Sequence, residues 1–150
     1  MPWAKTAPRG LHVAYGGLVF DSEGRVLLRE PRGHFDGYVW TFAKGRPDPG
    51  ESPDATARRE AEEETCVHAR ILAPIPGEFA GGTTINRFFL MVPDGPITPL
   101  SPHAPETISV RWVKPDEART LIEMTQNATG KERDLAVLEA GLKEWAKQNL

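Results

Sequence analysis

Between residues 51 and 64 the chain carries six acidic side chains against two arginines. Ser52, Pro53 and Asp54 open this stretch as a helix. Serine caps free N–H groups, proline fits the first helical position, and aspartate meets the positive helix end. The helix is expected to run over residues 52–65. At ~100° per residue, Glu60, Glu63 and Glu64 then share one face, where three like charges repel one another. Ala55 and Ala61 fall opposite, with Ala57 beside them, and small residues let a helix lie close to a sheet. Any fold for this chain must therefore seat one helix on a sheet and leave a carboxylate face to be neutralised. A bare solvated face with incidental ion pairs is the simpler account of the glutamates. A cation is the other, and carboxylate oxygens without His or Cys suit Mg²⁺ or Mn²⁺ rather than Zn²⁺. Mg²⁺ leaves coordination positions for substrate phosphates, so the cluster points to phosphate chemistry.

The rest of the chain supplies strands for that helix to pack on. Residues 12–20 are apolar with an embedded Gly16-Gly17, a strand with a bulge or a close backbone approach. A turn at 21–24 leads to a strand at 25–29, predicting a hairpin. Residues 38–42 read as a short aromatic strand and 44–51, with two prolines and two glycines, as a loop. Further strands are expected at 67–72, 84–92 and 109–113, with a proline-rich loop over 93–105. A short helix follows at 115–122 and a last helix at 131–147, striped by Leu135, Leu138, Leu142 and Trp145. Strands mixed with a few helices, without regular βαβ alternation, predict an α+β sandwich with helices on both faces. No linker divides residues 1–150, which form one domain, with residues 1–10 a loose arm.

Composition narrows the function. A net charge of −3 with no run of Lys or Arg gives no broad grip on nucleic acid. The apolar run at 88–92 is too short to span a bilayer. The single cysteine, Cys66, excludes an internal disulfide and fits a cytoplasmic setting.

In register, the central segment resembles the Nudix box, G-x5-E-x7-R-E-U-x-E-E-x-G-U, where U is a bulky aliphatic residue. Gly45, Glu51, Arg59, Glu60, Glu63, Glu64 and Val67 match, seven of its nine defined positions. The likeness extends over residues 12–145 and implies a Nudix-type α/β/α sandwich with a mixed sheet. Two positions depart. Ala61 replaces a larger aliphatic residue. Cys66 replaces the glycine ending the helix, whose left-handed backbone costs other residues ~1 kcal/mol or more.

The resemblance implies a Mg²⁺-dependent hydrolase (Mn²⁺ a substitute) that cleaves a diphosphate bond in a small nucleoside diphosphate-linked or related metabolite. Glu60, Glu63 and Glu64 would hold the metal, and Gly45, Glu51 and Arg59 would shape the site, with Arg59 reaching back to Glu51. The general base is divided between Glu60 and Glu106, with Glu63 also placed in the catalytic set. Ser109 occupies a position, three before Trp112, that is often acidic in such proteins. Lys44 is expected to meet substrate phosphates, with Arg29, Arg32, Arg46 and Arg87 as further cations. Trp40 or Phe35 would stack on a base, and His34 would touch substrate. His12, His68 and His103 show no ligand spacing. Marks of the known substrate subclasses are missing downstream of the box, so the substrate stays open, as does the oligomeric state, for which a homodimer is common among such folds. Other readings remain: a ligand-binding or regulatory module without catalysis, and an isomerase on the same fold that leaves the diphosphate intact.

Overall fold

The computed structural model describes Trp3 and residues 11–149. In chain order it contains β1 (His12–Val19), β2 (Val26–Pro31), β3 (Ala43–Gly45), α1 (Pro53–Thr65), β4 (Ala69–Pro74), β5 (Phe79–Ala80), β6 (Thr84–Pro93), β7 (Thr107–Val113), α2 (Pro115–Ile122) and α3 (Ala128–Gln148). The larger sheet is mixed, ordered β3-β1-β6-β4, with β5 added on β6. β1 and β6 run parallel, with His12 opposite Thr84 and Val19 opposite Met91. β2 and β7 form a separate antiparallel pair.

β6 explains the layering. Its apolar run is buried on both faces, and successive side chains point opposite ways. Phe88 and Leu90 enter a core with Leu18, Phe42, Val137 and Leu138. Phe89 and Met91 enter another with Tyr15, Ala57, Ala61 and Val67. Helix α1 thus covers one face of the mixed sheet and α3 the other, the sandwich expected from sequence.

Several local expectations change. β1 is paired with β3 on one edge and β6 on the other. It forms no ladder with β2 as the predicted hairpin would, and the turn is closed by a Phe20–Val26 bridge and the Asp21 N–H donating to the Arg25 carbonyl at 2.9 Å. The strand expected at 38–42 is reduced to a bridge between Thr41 and Arg29, and the ladder shifts to β3. Gly16 is the reason β3 can come so close. A Cβ there would strike the Ala43 carbonyl and the Lys44 side chain. The close-approach alternative therefore holds, and the β1–β6 register is unbroken. The last helix starts at Ala128 rather than 131 because Asn127 caps it, its side chain accepting from the Gly130 N–H at 2.9 Å. Of the arm expected at residues 1–10, only Trp3 is among the described residues, and it is not loose. It is buried edge-on against Phe89, centroids 5.1 Å apart, and its Nε1–H donates to the Gly77 carbonyl at 3.0 Å.

Candidate active site

Helix α1 begins as its sequence dictates. Ser52 Oγ accepts from the Ala55 N–H at 3.3 Å, and Pro53 opens the helix. Ala57 and Ala61 are buried against the sheet, joined by Thr56, while Ala55 stays half-buried. Cys66 ends the helix in the left-handed conformation (φ 60°, ψ 19°), and its N–H donates to the Glu62 carbonyl at 2.9 Å. The backbone shape that favours glycine is thus kept by a cysteine.

Arg59 organises the preceding loop. Its Nε and Nη2 donate to the two Glu51 oxygens at 2.8 and 2.9 Å, its Nη2 also reaches the Arg46 carbonyl at 3.0 Å, and its Nη1 contacts Glu60 at 2.9 Å and Glu63 at 3.2 Å. Glu51 also accepts from Thr56 Oγ1 and the Asp48 N–H. Its hydrogen bonds to Arg59, with help from Asp48 and Thr56, hold its pKa down at about 2, against an ordinary 4.5. A carboxyl with a lowered folded-state pKa stabilises above its unfolded pKa and loses that contribution as pH falls through the folded value. Thermal stability should therefore drop between pH 4.5 and about 2 more steeply in the wild type than in Glu51→Gln. Parallel melting curves for the two proteins across that window would remove the brace as a pH-sensitive element.

Glu64 is buried. It accepts from the Lys44 N–H at 2.9 Å and lies 3.7 Å from Arg29 Nη1. Burial pushes its pKa up to about 8, against the pull of Arg29. Glu60 is also shifted upward, first by burial, and both carboxyls feel Glu106. Gly45 makes room for Glu60, since a Cβ at 45 would run into its carboxylate. Gly45→Ala should displace that carboxylate and lower turnover about 10²-fold, the scale set by a misplacement near 1 Å. Steady-state kinetics beside a melting curve check this, and full turnover in a folded variant counts against the placement.

A cavity of about 760 Å³ opens beside this cluster, lined among others by Arg29, Tyr38, Lys44, Glu64, Glu106 and Arg133. Glu106 is exposed at its edge. Arg29 serves mainly as a strut, donating to Thr107 Oγ1 at 2.9 Å and to the Glu106 carbonyl at 2.8 Å. Arg32 holds the same loop through the Ala104 and Pro105 carbonyls. Phe35 stands at the rim, 77% exposed. His34 bonds Glu30 at 2.8 Å, and Glu30 also accepts from Ser109 Oγ.

Other candidates lie elsewhere. Arg87 is buried with Glu78 and the Tyr15 hydroxyl, under the rings of Trp3 and Tyr15, and does not line the cavity. Arg46 is exposed and its carbonyl braces Arg59. Trp40 is core, with Arg111 over its ring. Glu63 is exposed and turned to Arg59. Among the described residues, no three Asp, Glu, His or Cys side chains converge as a ready metal cage.

One feature escapes the sequence reading. Arg133 and Asp134 form a buried pair at 3.1 Å, and Asp134 accepts from Thr41 Oγ1 at 2.6 Å. Asp134 precedes Leu138 by one helical turn, so a carboxylate on the apolar stripe was a findable signal.

The chain matches the NUDIX domain model over residues 10–135. It belongs to the NUDIX family. It is 31% identical over 108 residues to an isopentenyl-diphosphate Δ-isomerase of Streptomyces avermitilis, covering 64% of this chain and 55% of that protein. A protein of the same name from Nocardia farcinica is 32% identical over 123 residues, covering 75% and 69%. The chain thus spans about half the length of the first relative. Among solved structures, the E. coli ORF135 protein aligns with a TM-score of 0.62 at 21% identity, covering 94% of this chain and 97% of that one. A C. elegans Ap4A hydrolase aligns with a TM-score of 0.61 at 20% identity, covering 85% and 98%. At such identities these two NUDIX-like folds speak to architecture alone. Among the described residues no helix is long and apolar enough to cross a membrane.

Proposed function

We propose that this chain is a Mg²⁺-dependent hydrolase of a diphosphate bond in a small nucleotide-like metabolite. The observation that carries this reading is that Glu64, on the α1 carboxylate face whose Glu60 and Glu63 are held by Arg59, lines a cavity bordered by Lys44 and Arg29. The donor set fits Mg²⁺. Glu60 and Glu64 are oxygen donors whose charged forms are disfavoured by burial and by neighbouring carboxylates, a condition that a divalent cation relieves. Glu60, Glu63 and Glu64 would hold the ion, which when bound supplies charge neutralisation of the diphosphate and a more acidic water.

The chain's own groups do the rest. Lys44 presents a cation to the phosphate oxygens, and Arg29 fixes Glu64 relative to the 104–107 loop. Glu106 is the better candidate base. It is exposed at the cavity, and its carboxylate enters no ion pair among the described residues, whereas Glu60 is bound to Arg59 and packed on Gly45. As base, Glu106 would accept a proton from the attacking water.

The curated relatives favour one further reading, an isomerase acting on isopentenyl diphosphate. A panel of nucleoside triphosphates, ADP-ribose, sugar nucleotides, dinucleoside polyphosphates and isopentenyl diphosphate separates the two. Hydrolysis releases a phosphate product, takes ¹⁸O from labelled water and stops when Mg²⁺ is chelated. An isomer formed with the diphosphate intact would overturn the hydrolase reading.

A further inference from the structure

Arg133 is only 6% exposed, and its Nη2 is the one buried side-chain polar atom among the described residues that has no hydrogen-bond partner. The rest of its guanidinium is tightly packed. Nε donates to Asp134, the plane lies over the Tyr38 ring at 5.2 Å, and the Gly81 backbone is so close that a Cβ there would sit 3.2 Å from Nη1. Asp134, anchored by Thr41, is fully buried and balances the charge. A structural ion pair explains Asp134, but it leaves one donor of a charged group without an acceptor, an arrangement that folded proteins avoid.

The chemistry of the missing acceptor follows from the surroundings. Arg133 borders the cavity with Tyr38, Phe35 and Phe42. Its charge is already met by Asp134, so what it lacks is an acceptor and not a counter-ion. Two cations on this wall, Lys44 and Arg32, enter no ion pair among the described residues, and Arg32 is occupied by the Ala104 and Pro105 carbonyls. A phosphate belongs with Lys44, and a neutral, flat acceptor flanked by aromatic rings belongs with Arg133. We propose that Arg133 is a specificity-determining residue that donates from Nη2 to a carbonyl oxygen of the substrate's nucleobase. Guanine, uracil and cytosine offer that oxygen, and adenine does not. The orientation of the ligand rests on the diphosphate-hydrolysis reading, which puts the phosphates at Lys44.

The test measures binding of guanosine, uridine, cytidine and adenosine, and of inorganic diphosphate, to wild type, Arg133→Lys and Arg133→Gln. It also measures kcat/KM for the four triphosphates. The expected result is that wild type favours at least one carbonyl-bearing nucleoside over adenosine by about 10- to 100-fold, because a buried donor left unpaired rejects the wrong base. Arg133→Lys keeps the charge opposite Asp134 but not the planar fork. It should shrink that preference to within about threefold and leave diphosphate affinity unchanged. Equal binding of all four nucleosides by wild type overturns the proposal, and needs no variant to fold. So does a loss of diphosphate affinity in Arg133→Lys that matches or exceeds its loss of nucleoside affinity, which would make the acceptor a phosphate. A folded Arg133→Lys that leaves every affinity unchanged also overturns it, since the orphan donor then meets only water. Base discrimination without hydrolysis would remove the diphosphatase reading and leave this one standing, and hydrolysis without discrimination would do the reverse.

Discussion

Glu64→Gln is expected to lower kcat about 10²- to 10³-fold at saturating Mg²⁺ while leaving the fold intact, the scale of losing one charge-stabilising group aimed at the reacting centre. The two halves of this prediction have separate causes. For stability, the glutamine oxygen can still accept from the Lys44 N–H, now held by Glu64 at 2.9 Å. The substitution also removes a carboxyl whose charged form is disfavoured by burial strongly enough to carry its pKa to about 8. Arg29, at 3.7 Å, loses a distant ion-pair partner but keeps Thr107 and the Glu106 carbonyl. For activity, an amide oxygen is a far weaker partner for a divalent cation than a carboxylate, so neutralisation of the phosphates suffers directly. Melting curves and steady-state kinetics on the substrate found by the panel check both halves. A folded Glu64→Gln with kcat within about threefold of wild type would mean that Glu64 is not part of the reacting centre.

Asp134→Ala should be the most damaging single change to stability. Asp134 lies wholly inside, between Thr41 and Arg133, and burial pushes its pKa up while Arg133 and Thr41 pull it down. Truncating it strands a guanidinium whose side chain is 4% exposed. Breaking one partner of a buried pair costs about 3–5 kcal/mol. For a chain of this size that is a fall in melting temperature of roughly 8–15 °C. Asp134→Asn, which keeps an acceptor for both neighbours, should lose less. If Asp134→Ala melts within a degree or two of wild type, the pair is not holding α3 against residues 38–44.

The parts of the protein that were legible from sequence share a physical character. The start of α1 is local: Ser52, Pro53 and Asp54 act on the first turn whatever surrounds them. The reach of Arg59 to Glu51 is equally a matter of loop length and helix geometry. The layering of β6 follows from an apolar run with no polar face. What failed is non-local. Nothing in residues 25–29 says that β1 takes β3 and β6 as its ladder partners while β2 pairs with β7, and that decides whether a hairpin forms. Arg87 looked like a free cation because its partners, Glu78, Tyr15 and the ring of Trp3, come from three separate segments. Arg29 carries its charge into the cavity wall but spends it on backbone and hydroxyl acceptors in β7 and the loop before it. Arg133 is not legible in sequence because a long helix with charged residues reads as a solvated one, and only tertiary packing turns that position inward.

The parallel pairing of β1 with β6 has a consequence for how the molecule comes into being. His12 meets Thr84 only across a long span of chain, and that span contains the whole of α1 and its loop. A chain emerging from the ribosome can wind α1 early, but the floor beneath it lacks Phe89 and Met91 until β6 has been made. Until then β1 and β4 each expose a strand edge that the finished sheet hides between them. Closure of so distant a pair is slow relative to helix formation. The carboxylate face is therefore wound before the surface that aims it exists, and a nascent chain cut short of residue 93 carries the acidic signature without the geometry that gives it meaning.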